Sequence, residues 1–279
     1  MHGTMAVTRY TLLELSRRRV LLVFFLLGFI GIIALAVGLR ILVSIFQSGE
    51  QSGGPPLELQ FAALISGVLA DFGLLVAYAI GMTAIYHDLE SGAAVSIFSK
   101  PVSRLAFTAG KIFAGVIGMI VIVGLLALET RIAIAFFGGG YEDVITEQVV
   151  AVVANTLLVM LLVLALTTWM NNIIAAVVAF VYYNLLSGIV QQLHNFVANG
   201  VIDAAVWKFV INIVYWLFPH PLTSSIPAAL LRAQTANGSG SSPAQVVINA
   251  SGPGDVAWWA FLLVLFSAFV YVSVRRRQV

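Results

Sequence analysis

Six long apolar runs decide what this chain can become. They cover residues 20–43, 61–86, 112–137, 149–169, 173–190 and 256–274. About 20 consecutive apolar residues cross a bilayer as a helix. The runs are continuous rather than alternating, which argues against a transmembrane barrel. Charged residues make up 9% of the chain, where a soluble domain carries about 25%, and the mean hydropathy is +1.02. The expected fold class is therefore an all-α polytopic membrane protein with six transmembrane helices, formed by a single transmembrane domain over 1–279. A net charge of +2 does not suggest a nucleic-acid partner, and the absence of Cys rules out disulfides and thiolate metal sites. The first run is too long for a signal-peptide core and lacks a small-residue cleavage site, so it reads as retained.

Charge sets an orientation. With six spans, the N-terminal segment, the segment between runs two and three, and the C-terminus share one side. They hold Arg9, Arg17, Arg18, Arg19, Lys100, Arg104, Lys111, Arg275, Arg276 and Arg277, ten of the fourteen Lys and Arg. The positive-inside rule puts both termini in the cytoplasm. The Gly/Pro-rich stretch Gln47-Ser48-Gly49-Glu50-Gln51-Ser52-Gly53-Gly54-Pro55-Pro56 and the acidic turn Gly138-Gly139-Gly140-Tyr141-Glu142-Asp143 carry no cation and fall outside. Met170-Asn171-Asn172 is short enough to predict a tight antiparallel hairpin between runs four and five. The segment 191–255 is expected outside. Its twelve mostly apolar residues 207–218 are short for a span and suit an interfacial or re-entrant element. Counting them as a seventh span would export the three terminal arginines. Ala236 to Pro243 reads as a flexible loop.

The most specific pattern is the polar island between runs two and three. It opens with Tyr86-His87-Asp88-Leu89-Glu90-Ser91-Gly92, continues through Ser99-Lys100-Pro101-Val102-Ser103-Arg104, and closes at Gly110-Lys111. Residues 93–99 can form a short helix between Gly92 and Pro101. Ile97 and Phe98 gain nothing by being exposed in a free loop, and the flanking charges could orient a docked partner.

This order of residues resembles the cytoplasmic connection of ABC-2 permeases, the membrane subunits of one class of ATP-driven transporter, and the NosY-like branch in particular. Ala93 stands where that family often has Thr. The resemblance implies that 87–111 is a coupling loop docked on a separate ATPase subunit. The interface would use Asp88, Glu90, Ile97, Phe98, Lys100, Arg104 and Lys111. It also implies that residues 10–19, with Leu12, Leu13, Leu15, Glu14 and the arginines, form an amphipathic elbow helix on the inner leaflet; the plain alternative is a cationic anchor for the first span. By the same resemblance the chain works as a homodimer or with a similar permease, usually as an exporter, in the cytoplasmic membrane of a prokaryote.

No nucleotide site is legible. Gly110-Lys111 precedes Ile112 rather than Ser or Thr, and Leu105 stands where a P-loop places its first Gly. The expectation is no catalytic, cofactor or metal residue in this chain, with ATP and Mg in the partner ATPase subunit. Besides Arg40 near the end of the first run, three charges lie within runs: Asp71, Glu129 and Arg131. They are structural or line a pathway, and Asp71 and Arg131 lie at comparable depth and could pair. A secondary transporter or ion channel using these three is the alternative function. His2, His87, His194 and His220 show no metal spacing, and His220 between Pro219 and Pro221 reads as a turn. The Asn237-Gly238-Ser239 and Asn249-Ala250-Ser251 sequons are discounted in a prokaryote.

Overall fold

The computed structural model describes residues 2–46, 57–90, 103–135, 142–224 and 250–276. The expected helix 93–99 with Ile97, Phe98 and Lys100 lies outside them, as do the outer turns at 47–56 and 138–141 and the loop at 236–243. Every regular element among the described residues is helical. Helix α1 (His2–Ser16) is followed by α2 (Arg19–Phe46), α3 (Leu57–Thr83), the single turn α4 (Tyr86–Glu90) and α5 (Arg104–Ala135). Then come α6 (Glu142–Thr167), α7 (Asn172–Ala198), α8 (Ala205–Leu217) and α9 (Pro253–Arg276). Six of these, α2, α3, α5, α6, α7 and α9, are long and apolar enough to cross a membrane. Helix α8 is the short apolar one.

Three boundaries differ by seven or eight residues from the sequence reading, the first being that of α6, which opens at Glu142 inside the expected turn 138–143. Helix α5 starts at Arg104, eight residues before the third run, because Ser103 caps it: its hydroxyl accepts from the backbone N–H of Ala106 at 3.1 Å. Lys111 is therefore two turns inside a helix, not at the end of a loop. Helix α7 continues past Val190 to Ala198. There Gly200, at φ 71°, reverses the chain while the N–H of Val201 bonds back to the carbonyl of Phe196, a left-handed helix cap.

Helix α6 is the centre of the bundle. Its stretch Leu158, Val159, Met160, Leu161, Leu162, Val163, Leu164 and Ala165 is buried all round, and it meets α3, α5, α7 and α9. Small residues set its closest seam. Gly73, Ala77 and Gly81 of α3 recur every fourth residue on one face, the small-residue spacing that lets membrane helices approach. A methyl group on Gly81 would lie 2.7 Å from Val163 Cβ and 2.9 Å from the Met160 carbonyl oxygen, and one on Gly73 would lie 2.9 Å from Thr156 Cγ2. The expected hairpin between runs four and five is present, with Asn171 capping α7 by accepting from the N–H of Ile173 at 3.0 Å. Helices α2, α7 and α9 turn rows of large apolar side chains outward, as a lipid-facing surface requires.

The chain after α8 is stitched back onto the bundle. The Asn155 side chain of α6 donates to the Leu222 carbonyl at 2.9 Å and accepts from the Leu222 N–H at 2.8 Å. Trp259 of α9 donates to the Ala154 carbonyl at 2.9 Å, and Trp258 donates to the Phe218 carbonyl at 3.3 Å.

Candidate functional site

Helix α1 packs along the first turns of α5. Val7, Thr11 and Leu15, spaced by four, are its buried positions. Gly110 makes room for it: a methyl group there would lie 2.8 Å from Val7 Cβ and 3.0 Å from the Thr4 carbonyl oxygen. The Thr8 hydroxyl donates to the Gly110 carbonyl at 3.2 Å. Nearly two turns beyond Thr8 on α1, Glu14 faces Lys111.

Lys111 is fully buried, and three elements supply what surrounds it. Its ammonium lies 2.6 Å from Asp88 Oδ2 on α4 and 3.6 Å from Glu14 Oε2 on α1. Glu14 also pairs with Arg18, one turn on. The rings of Tyr10 and Phe107 each stand 5.9 Å from the ammonium, within reach of a cation–π contact. The angles at Lys111 Nζ do not meet hydrogen-bond geometry, so the attraction is chiefly one of charge. The cluster joins the N-terminal helix α1, the opening of the island and the third span at one point.

This corrects the sequence reading for two residues. Asp88 and Lys111 were expected to face a partner, yet Asp88 is 2% exposed and Lys111 0%. Each is satisfied by the other because the first turns of α5 bring Lys111 beneath α4. Of the other island charges, Glu90 is exposed. Arg104 donates to the carbonyl of Arg275, tying the start of α5 to the end of α9.

Asp71, Glu129 and Arg131 are not brought together. Asp71 and Arg131 are both exposed, on the outer sides of α3 and α5, and no ion pair joins them among the described residues. The Asp71–Arg131 pair is thus absent. Glu129 has both carboxylate oxygens shielded from solvent and without a hydrogen bond among the described residues.

Two polar groups escaped the sequence reading. The first is in α7, where residues Val181–Leu186 form a π-turn, a distortion that recurs at functional positions. Asn184 within it donates to the Tyr78 hydroxyl of α3 at 3.1 Å. The buried Tyr183 hydroxyl beside it has no partner among the described residues. The legible signal was a lone Asn inside an apolar run.

The second group corrects the view of His194 and His220 as scattered. Both imidazoles stack on the Tyr215 ring at 3.9 Å, so they lie on opposite faces of it and cannot share one metal ion. Tyr215 donates to Asp255 Oδ1 at 3.0 Å, and His220 Nε2 lies 3.2 Å from the same oxygen. His220 is no surface turn: it is 2% exposed. Burial lowers its pKa below the ordinary histidine value, against the opposing pull of the Asp255 carboxylate. Burial, with help from Asp255, raises that of Tyr215. The stack ties α7, α8 and the start of α9 together.

No family model and no curated protein matches the chain. The site therefore rests on its own geometry.

Proposed function

We propose that this chain is the membrane-spanning permease subunit of an ABC-2 type transporter, probing no nucleotide itself and driven by a separate ATPase subunit that docks on the island. The observation that carries the reading is the Glu14–Lys111–Asp88 cluster. A partner pressing on the island moves α4, and Asp88 passes that displacement to Lys111 on a span and, through it, to Glu14 on α1. A lysine of a span, buried and held from two sides by α4 and α1, links the three elements firmly, since burying an ion is costly unless it is paired.

The exposed Asp71 supports pairing with a second permease. A carboxylate facing lipid in mid-span costs several kcal/mol by about any scale, whereas a subunit interface or aqueous path removes that cost. Both termini then lie in the cytoplasm and α8 on the opposite side, with the segment after α8 reaching back to Asn155 within a span. The carboxylate of Glu129, without a hydrogen bond among the described residues, is an observation on the side of an ion channel or secondary transporter.

The test is a pair of changes that leaves the buried cluster intact. Phe98→Ala with Glu90→Lys alters the island without touching Asp88 or Lys111. The purified permease should lose its separate ATPase subunit, or ATP turnover should no longer drive transport in vesicles. A doubly substituted protein that keeps the ATPase and transports at the wild-type rate refutes the coupling role.

A further inference from the structure

Helices α7 and α8 form a V, and the space between them is lined by Val190, Leu193, Ile202, Trp207, Val210 and Val214, with Ile211 at its floor. The only polar atom these side chains bring is the indole nitrogen of Trp207. The groove measures about 410 Å³ and is open along one side.

Its height follows from α7. Val190 is 18 residues beyond Asn172, about 27 Å along the helix at about 1.5 Å per residue, and the hydrocarbon core of a bilayer is about 30 Å thick. The groove thus sits where acyl chains meet headgroups, at the end of the bundle away from the island. Trp207 occupies the level favoured by interfacial aromatics.

Size decides the kind of occupant. One turn of a helix, with a pitch of about 5.4 Å and a diameter of about 10–12 Å, sweeps roughly 400–600 Å³. The groove, at about 410 Å³, lies at the bottom of that range, so it holds at most one narrow turn of a neighbouring helix. A methylene group is close in size to a water molecule, whose share of liquid volume is about 30 Å³, so the groove takes roughly a dozen methylenes in a row. That is most of one fatty-acyl chain.

The rim adds charge of both signs. Lys208 Nζ lies 3.0 Å from Asp203 Oδ1, and their side chains are 40% and 84% exposed. An exposed pair of this kind contributes little to stability by itself. It does present a cation and an anion side by side next to the groove, as the phosphate and amine of a zwitterionic headgroup require.

We propose that the α7–α8 groove binds one acyl chain of a zwitterionic glycerophospholipid from the bilayer, with its phosphate on Lys208 and its ammonium on Asp203. The site depends on membrane embedding of the six spans and not on ATPase coupling, so the two can fail separately.

The experiment uses the full-length protein, purified in mild detergent and delipidated. Native mass spectrometry then reads adducts with dipalmitoyl phosphatidylethanolamine, and with dipalmitoyl phosphatidylglycerol as the anionic comparison. Val210→Trp and Leu193→Trp fill the groove from opposite walls, and Val210→Leu is the mild control. Each Trp variant that keeps the wild-type melting temperature should lose the first phosphatidylethanolamine adduct by about tenfold, and Val210→Leu should retain it. Lys208→Gln should weaken binding severalfold without changing the number of sites. Asp203→Asn should erase the preference for phosphatidylethanolamine over phosphatidylglycerol. Undiminished adducts in both Trp variants overturn the proposal. So does efficient disulfide formation between two copies carrying Val214→Cys, which would make the groove a protein interface. If both Trp variants unfold, a maleimide reports instead on Val210→Cys in the otherwise cysteine-free chain: slower labelling with phosphatidylethanolamine supports the site, and an unchanged rate overturns it.

Discussion

Replacing Lys111 with methionine keeps an unbranched apolar stem and removes the charge. Asp88, with its side chain 3% exposed, then loses the cation 2.6 Å away, and Glu14 loses the one at 3.6 Å. At an effective dielectric of about 20, the lost attractions are about 6 and about 5 kcal/mol. Desolvation of the ammonium, no longer required, offsets much of this. The net loss from orphaning a buried partner is about 3–5 kcal/mol. For a chain of this size each kcal/mol moves the melting temperature by about 2–4 °C, so a drop on the order of 10 °C is expected. Asp88→Leu alone should cost a similar amount, because it leaves Lys111 buried with only the more distant, partly exposed Glu14. The double variant, with both charges gone, should recover most of the stability, as replaced buried pairs often do. The assay is thermal unfolding in detergent for all four proteins, analysed as a double-mutant cycle. Additive losses, or singles that melt with the wild type, would refute a buried, mutually dependent pair and remove the mechanical link on which the coupling reading depends.

Three further outcomes follow from other contacts. Gly81→Ala should destabilise by about 1–3 kcal/mol through overpacking against Val163 and the Met160 carbonyl; the control Gly124→Ala, which meets nothing within 4 Å, should be neutral or gain up to about 1 kcal/mol of helix propensity, and equal melting temperatures for the two would refute the close seam. Asn155→Ala leaves the Leu222 N–H and carbonyl without their partner and should cost about 1–3 kcal/mol, read as faster protease cleavage within 218–224 while the spans stay intact. His220 holds its proton less tightly folded than unfolded, so its contribution is fully present above about pH 6.5 and is lost as pH falls below that value toward the lowered native pKa; a melting temperature that falls between pH 7.5 and 5 in the wild type, and falls less in His220→Phe, is expected, and parallel curves would refute the assignment.

The spans were legible because a bilayer demands long apolar helices whatever else the chain does, and the runs announced them. Their ends were less so. Arg104, Gly110 and Lys111 look like loop residues when only polarity is weighed, although Ser103 was visible as a capping residue. What places Lys111 inside is compensation from Asp88 and Glu14, which lie 23 and 97 residues away in sequence and meet it only in three dimensions. The same holds for His194 and His220, joined through Tyr215 by stacking that no spacing encodes. The spacing of Gly73, Ala77 and Gly81, and the isolated Asn184, were in plain view and needed only to be weighed. The proposed pairing of Asp71 with Arg131 failed because comparable depth says nothing about which way two helices are rotated.

The α3–α6 seam has a mechanical consequence. At Gly81 a notional methyl would lie 2.7 Å from Val163 Cβ and 2.9 Å from the Met160 carbonyl oxygen, so the seam has almost no slack, and sliding one helix along the other would drive the α3 backbone against a stiff β-branched side chain and main chain of α6. Helices α3 and α6 therefore behave as a single beam. Any cycle of shape change has to hinge at looser joints: α2 and α9, whose most apolar windows are only 17% buried, and the π-turn of α7, where one extra residue per turn already interrupts the regular ladder. The beam is the frame against which those parts swing.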